Sequence, residues 1–264
     1  MSASEKWQGA KRRIAKIGVA CKRTIVGPGE IEAGPAKGLR FDAGDDSGRF
    51  AQGDYELPVQ QALAALVHPG DVCYDIGANL GFFSVLLARL VGPDGSVFAF
   101  EPVPANVSMI ERNARLNDLT NIRVMPVALT RDDGEAELLL ARHVGGAVLK
   151  SAGSPPDLAG SLMVQTASAD SLIARLHLAS PNFVKIDVEG AEMDVLVGME
   201  VLLREKSPIV VLELDDEKLE ACETKVAACR RFLEYLGYET ADLPNSYRDG
   251  RWFVRHFCAQ RRKA

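Results

Sequence analysis

The sequence predicts an α/β protein built on a doubly wound, mostly parallel sheet that ends in an antiparallel hairpin. Three observations carry that expectation. Short, almost wholly apolar runs such as VCYDI (72–76), SVFAFE (96–101) and PIVVLEL (208–214) alternate with stretches of helical periodicity. Strands that are apolar on both faces belong to parallel sheets covered by helices on each side. A tight glycine turn joins the first such strand to its helix in DIGANLGFFS (75–84).

Taken in order, residues 27–50 are rich in Gly, Pro and Asp and read as loops with a short strand at Gly38–Phe41. Val59–Val67 reads as a helix stopped by His68-Pro69-Gly70. The strand at 72–76, a helix at 82–91, a strand at 96–101 and a helix over Ala105–Leu116 follow. IRVMPVAL (122–129) is expected as a third strand, with a returning strand at Ala136–Leu140 after an Asp-Asp-Gly turn. The Gly-, Ser- and Pro-rich stretch 142–161 reads as a long loop, a natural place for substrate selection. Then come FVKID (183–187), one helix over 191–205, a strand at 208–214, a helix over Asp216–Leu236, and a hairpin of Tyr238–Leu243 with Arg251–Cys258. Residues 1–52 form an N-terminal extension and 53–264 the domain proper.

With 264 residues, 47% of them hydrophobic, the chain can bury a sizeable core. No apolar run reaches the roughly 18 residues that would span a bilayer. The basic start, MSASEKWQGAKRR, has no apolar segment behind it and is not expected to be a secretory signal. Five scattered cysteines without a C-x-x-C pair point to reduced thiols, a cytoplasmic setting and no zinc site. Both ends are basic, but residues 27–247 hold 18 Lys/Arg against 34 Asp/Glu. A body that acidic repels a phosphate backbone, which argues against nucleic acid as substrate. Trp7, Ile14, Ile17 and Cys21 would form the apolar stripe of a basic N-terminal helix, packing on the domain or on a second subunit of a homodimer.

Ligands of doubly wound sheets sit beyond the C-terminal strand ends, where strand order reverses. Asp75 ends the first strand there, Gly77 lets the backbone turn, and Gly81 lets the helix start close to a ligand. A dinucleotide fingerprint would need G-x-G-x-x-G, yet the middle position is Asn79, and no G-K-[ST] follows. Glu101, 20 residues beyond Gly81, is spaced to accept both hydroxyls of a ribose. Asp75 suits a cationic group. A nucleoside, little provision for pyrophosphate and a cation together describe S-adenosylmethionine.

DIGANLGFFS, FAFEPVPAN, VMPVAL and VKIDVEGAEMDVLVG resemble the FkbM-type family of S-adenosylmethionine-dependent methyltransferases. The likeness spans roughly residues 53–215, including GDYE (53–56), and V-K-I-D-V-E-G-A-E is its most specific part. It implies the class I methyltransferase type of fold and O-methylation, often of sugar hydroxyls in glycolipids, polysaccharides or macrolide-type products. It also implies a cofactor site lined by Asp75, Gly77, Asn79, Gly81, Glu101, Ala128 and Asp187, and a small-molecule or carbohydrate acceptor.

Methyl transfer needs an acceptor oxygen held in line, and a sugar hydroxyl needs help in losing its proton. FVKIDVEG places Lys185, Asp187 and Glu189 at alternate positions, and the next strand ends in Glu213 with Asp215 and Asp216 behind it. Asp187 and Glu213 are therefore the catalytic candidates, as general base and orienting group, or as joint holders of a divalent cation such as Mg²⁺ or Mn²⁺. Lys185 has a structural alternative, pairing with a nearby acid, and Glu189 another, capping the following helix. His143 and His256 are further candidates for touching substrate. N-methylation, a nicotinamide oxidoreductase and a non-catalytic binding module compete with this reading. The first lacks its Asn/Asp-Pro-Pro-Tyr loop, the second is opposed by Asn79, and the third by Asp187 and Glu213 beside an intact turn.

Overall fold

The computed structural model describes residues 28–142, 146–155, 157–247 and 252–261. The expected basic N-terminal helix and His143 lie outside them. Two short paired strands, β1 (Gly29–Glu30) and β2 (Arg40–Phe41), and a single helical turn α1 (Gly48–Ala51) lead into α2 (Leu57–Leu66). The alternation then runs β3 (Val72–Ile76), α3 (Phe82–Val91), β4 (Ser96–Phe100), α4 (Pro104–Leu116) and β5 (Ile122–Met125). A β-rich insertion follows: β6 (Ala128–Leu129), β7 (Gly134–Ala141), β8 (Ala147–Leu149), β9 (Leu158–Ala167), then α5 (Ala169–Leu176). The second half is β10 (Phe183–Ile186), α6 (Glu192–Gly198), α7 (Glu200–Glu205), β11 (Ile209–Asp216), α8 (Leu219–Tyr235), β12 (Tyr238–Asp242) and β13 (Phe253–Arg261).

Among the described residues the main sheet has the order β12-β13-β11-β10-β3-β4-β5, and β13 alone runs against its neighbours. The chain builds outward from β3 through β5, then returns to place β10 on the other side of β3. That reversal, between β3 and β10, is where a doubly wound sheet leaves a crevice. Both faces are covered. Tyr74, Ile76, Phe100, Val184 and Leu212 pack toward α5–α8, while Cys73, Val97, Phe183 and Val211 pack toward α2 and α3. Each such side chain, fully buried, contributes about 1.5–3 kcal/mol. Ile31, Leu39, Phe41 and Phe50 from the early loops are buried in this second cluster.

Three expectations need correction. IRVMPVAL is not one strand. Pro126 carries no N–H to continue the ladder, so β5 stops at Met125, and Ala128–Leu129 pairs with β9 in a separate four-stranded sheet. The stretch 142–161 is not a plain loop: Ala147–Leu149 and the start of β9 both pair with β7, a long-range ladder that outweighs a loop-like composition. The single helix over 191–205 is two, with the break at Met199. Gly198 sits where a Cβ would meet Thr130 O at 2.0 Å, so the helix end lies hard against the backbone just past β6. No helix among the described residues is long and apolar enough to cross a membrane.

Candidate active site

The turn after β3 forms because its backbone must reverse in very little space. Gly77, at φ +78°, has no room for a Cβ, which would lie 1.8 Å from Asp187 O. Its N–H and that of Ala78 both donate to Phe100 O, tying the turn to β4. Asn79 also has positive φ, at +53°, and Gly81, at φ +86°, brings the start of α3 against Ile110. β4 delivers Glu101 to this turn. Its carboxylate is buried and accepts N–H groups from Asn79 and Val103, both at 2.9 Å, and the Asn106 amide at 3.3 Å. Burial, only partly offset by those donors, lifts Glu101 to about 7.

A cleft opens beyond the strand ends, enclosing about 1200 Å³ counting its mouth. Of the residues singled out from sequence, Gly77, Asn79, Glu101, Ala128, Asp187 and Glu213 line it together. Two do not. Asp75 is buried behind the turn, bonded to Ser84 Oγ at 2.5 Å and bordering a smaller adjoining cavity that Asp187 shares. Gly81 lines neither cavity and serves the packing of α3. Leu138 of β7 with Ala147 and Leu149 of β8 form an apolar wall, so the insertion roofs one side of the cleft.

The acidic end of the cleft is more elaborate than the sequence suggested. Asp187 ion-pairs with buried Lys185, Nζ to Oδ2 at 3.0 Å, and Lys185 also lies 4.5 Å from the Phe83 ring centre. Burial raises Asp187, while Lys185 pulls the other way without cancelling it. The strand geometry does not carry on to Glu189: β10 ends at Ile186 and Glu189 has φ +53°, yet it still lines the cleft. The helix begins at Glu192, whose own carboxylate takes the Gly190 N–H at 2.7 Å.

Glu213, near the end of β11, faces His256 across the antiparallel β11–β13 pair, with Oε2 2.7 Å from Nε2. On its other side that nitrogen lies 3.7 Å from Glu56 Oε2. Tyr247 donates its hydroxyl to Glu56 Oε1 at 2.6 Å. Glu56 is held in left-handed backbone, φ +44°, at the start of α2, with its side chain 1% exposed. Burial alone would drag His256 down, but the two glutamates overrule it and hold it near 10. Burial and the charges of Asp187 and Glu56 raise Glu213 to about 8, against the pull of His256.

Sequence reasoning missed the partnership of Glu56, Tyr247 and His256. GDYE stood out only as part of a likeness, and His256 only as a histidine on the last strand. Arg49 and Trp252 also line the cleft and carried no sequence signal beyond their type, and Tyr55, within GDYE, lines it too. The metal-holding alternative is redrawn too. Among the described residues, Glu56, Glu213 and His256 form a group of three whose ligand atoms converge.

Comparison with known proteins places this architecture. A family model described as the methyltransferase FkbM domain matches residues 75–240. The chain is 29% identical over 220 residues to Methyltransferase 1 of Beauveria bassiana, covering 71% of this chain and 86% of that protein. It is 28% identical over 158 residues to the hexuronic acid methyltransferase AglP of Haloferax volcanii, covering 59% and 61% of the two chains. With the 31-O-demethyl-FK506 methyltransferase FkbM of Streptomyces tacrolimicus it shares 29% identity over 161 residues, covering 51% and 61%. The chain belongs to the FkbM methyltransferase family and is an S-adenosylmethionine-dependent methyltransferase.

Proposed function

We propose that this protein transfers a methyl group to a hydroxyl of a sugar, a glycoconjugate or a secondary metabolite. The observation that carries the reading is the meeting, in one cleft, of Glu101 and the Gly77–Asn79 turn with the carboxylates of Asp187 and Glu213. S-adenosylmethionine, when bound, supplies a methyl group already activated for displacement. The residues present suit it: Glu101 for the ribose hydroxyls, a turn without pyrophosphate provision, and an acidic wall for its cationic groups. The name of one relative, a 31-O-demethyl-FK506 methyltransferase, fits an oxygen acceptor on a secondary metabolite, and that of another, a hexuronic acid methyltransferase, fits a sugar-acid acceptor.

In this reading the acceptor enters past the Ala147–Leu149 wall and its hydroxyl lies between Asp187 and Glu213. Asp187, raised by burial, takes the hydroxyl proton as the oxygen attacks, a contribution of about 10²–10⁴-fold. Lys185 fixes the Asp187 carboxylate in place. Glu213, itself fixed by His256, orients the acceptor, and alignment within the cleft supplies the rest of the acceleration. Cys73, Cys222, Cys229 and Cys258 are buried free thiols, which supports a reducing, cytoplasmic setting for this chemistry.

The test is to incubate the protein with S-adenosylmethionine carrying a ¹³C-methyl group and a panel of glycosides, uronic acids, macrolides and amines. A methoxy carbon signal on a hydroxyl acceptor is expected. Label found on nitrogen alone, or on no acceptor, would sink the proposal.

A further inference from the structure

We propose that Glu56, Glu213 and His256 bind a first-row divalent cation of the Mn²⁺ or Zn²⁺ type on the wall of the cleft. Glu56 Oε2, Glu213 Oε2 and His256 Nε2 converge from three separate places, the residue just before α2, β11 and β13, and the ligand atoms of the group lie within 4.8 Å of one another. Carboxylate oxygen and imidazole nitrogen bind such ions at about 2.0–2.2 Å, which puts adjacent ligand atoms about 3.0–3.4 Å apart. The observed separations from His256 Nε2, 2.7 and 3.7 Å, bracket that spacing. Side-chain shifts of about an ångström or less would close all three on one ion.

A second observation points the same way. Glu56 Oε2 is buried and has no hydrogen-bond partner among the described residues, and it is aimed at the imidazole nitrogen from beyond hydrogen-bond range. Leaving a buried carboxylate oxygen unsatisfied costs about 1–3 kcal/mol or more. An ion that displaces the imidazole proton meets two carboxylates, whose charge a divalent cation neutralises while also occupying the orphaned oxygen. Tyr247 on Glu56 Oε1 supplies the outer hydrogen bond that holds a carboxylate ligand in orientation. Left-handed backbone at Glu56, which costs a non-glycine residue about 1–3 kcal/mol, is the kind of strain that a functional site retains. The mixed imidazole–carboxylate set favours Mn²⁺, Fe²⁺ or Zn²⁺ over Mg²⁺.

Two of the three ligands, Glu56 and Glu213, face the cleft, so the open coordination positions point at the acceptor. Resting on the proposed O-methylation, the ion would polarise the acceptor hydroxyl as a Lewis acid. The oxygen lone pair then forms the new C–O bond, the C–S electron pair returns to sulfur, and the hydroxyl proton passes to Asp187.

The test uses the full chain stripped with EDTA and dialysed, titrated with Mn²⁺ or Zn²⁺ alone. Calorimetry is expected to give one ion per chain, with Mg²⁺ at least tenfold weaker. His256→Gln and Glu56→Gln should abolish the tight site. Tyr247→Phe, which leaves all three ligands in place, should weaken it by about 10–100-fold. Co²⁺ substitution should give a visible absorption band that His256→Gln loses, a readout independent of catalysis. A folded, EDTA-treated wild-type chain that takes up no ion overturns the inference, and the cluster is then an imidazolium between two glutamates. Full hydroxyl methylation by the EDTA-treated, ion-free protein overturns the Lewis-acid role while leaving the proposed function standing. Stoichiometric ion binding without any hydroxyl methylation supports the site and removes the function.

Discussion

Glu101 Oε2 accepts the backbone N–H of Asn79 at 2.9 Å, so the end of one sheet strand is fastened to the glycine turn at the end of its neighbour. The same carboxylate lines the cleft, and its role is therefore double: it shapes the turn and offers acceptor lone pairs to a ligand. Glu101→Gln keeps the size and removes the charge. Charge-assisted hydrogen bonds are worth roughly 1.5–3 kcal/mol, so the dissociation constant for S-adenosylhomocysteine should rise about tenfold or more. Calorimetry checks it, and an unchanged constant means the ribose hydroxyls bind elsewhere.

Cofactor affinity should also depend on pH. Burial holds the Glu101 carboxyl near 7, above its ordinary range, so it is mostly protonated at pH 6 and mostly ionised at pH 8. The ionised form is the better acceptor for ribose hydroxyls. Affinity should accordingly fall as pH drops from 8 to 6, by up to about tenfold for each unit below 7. Glu101→Gln should flatten that dependence, and a wild-type profile that rises toward pH 6 would contradict the assignment.

Asp187→Asn keeps the shape of the side chain and its oxygen facing Lys185 but cannot take a proton. The expected result is a drop in kcat of about 10²–10⁴-fold with little change in cofactor affinity. The charge of Asp75, the register partner of Lys185 on β3, still acts favourably on that buried cation. Near-normal turnover would move the base elsewhere.

The insertion should govern the acceptor and not the cofactor. Ala147 on β8 is part of the cleft wall, and Ala147→Phe adds a ring at the entrance. Its kcat/KM for the acceptor should fall at least about tenfold while the S-adenosylhomocysteine dissociation constant stays within about threefold. Equal losses in both would show that the wall also supports the cofactor.

Much of the fold was legible because its signals are local. VCYDI and SVFAF needed only their unbroken apolar character to be read as central strands, and FFSVLLARLV was bounded by glycines at both ends, matching Phe82–Val91. The glycine turn was legible for the same reason: Gly77 answers a steric demand that no other residue meets. What failed was long-range. LAGSLMVQTA became a ten-residue strand because β7 offered it a ladder. Nothing within the 142–161 stretch reports that a partner lies upstream.

By itself, then, the sequence determined the doubly wound sheet, the turn that follows its first central strand, and the placement of Glu101 and Asp187 at strand ends, whereas the strand expected to stop just after Glu213 runs on to Asp216. Those follow from periodicity, steric freedom and strand spacing, which are properties of a few consecutive residues. Only the tertiary structure decided that Asp75 faces inward to Ser84, that Lys185 commits to Asp187, and that Glu56 and His256, 200 positions apart, close on Glu213. Electrostatic partnership depends on distance in space and on burial. Both are set by how the helices and the antiparallel β13 pack onto the sheet, and neither is written in any short stretch of chain.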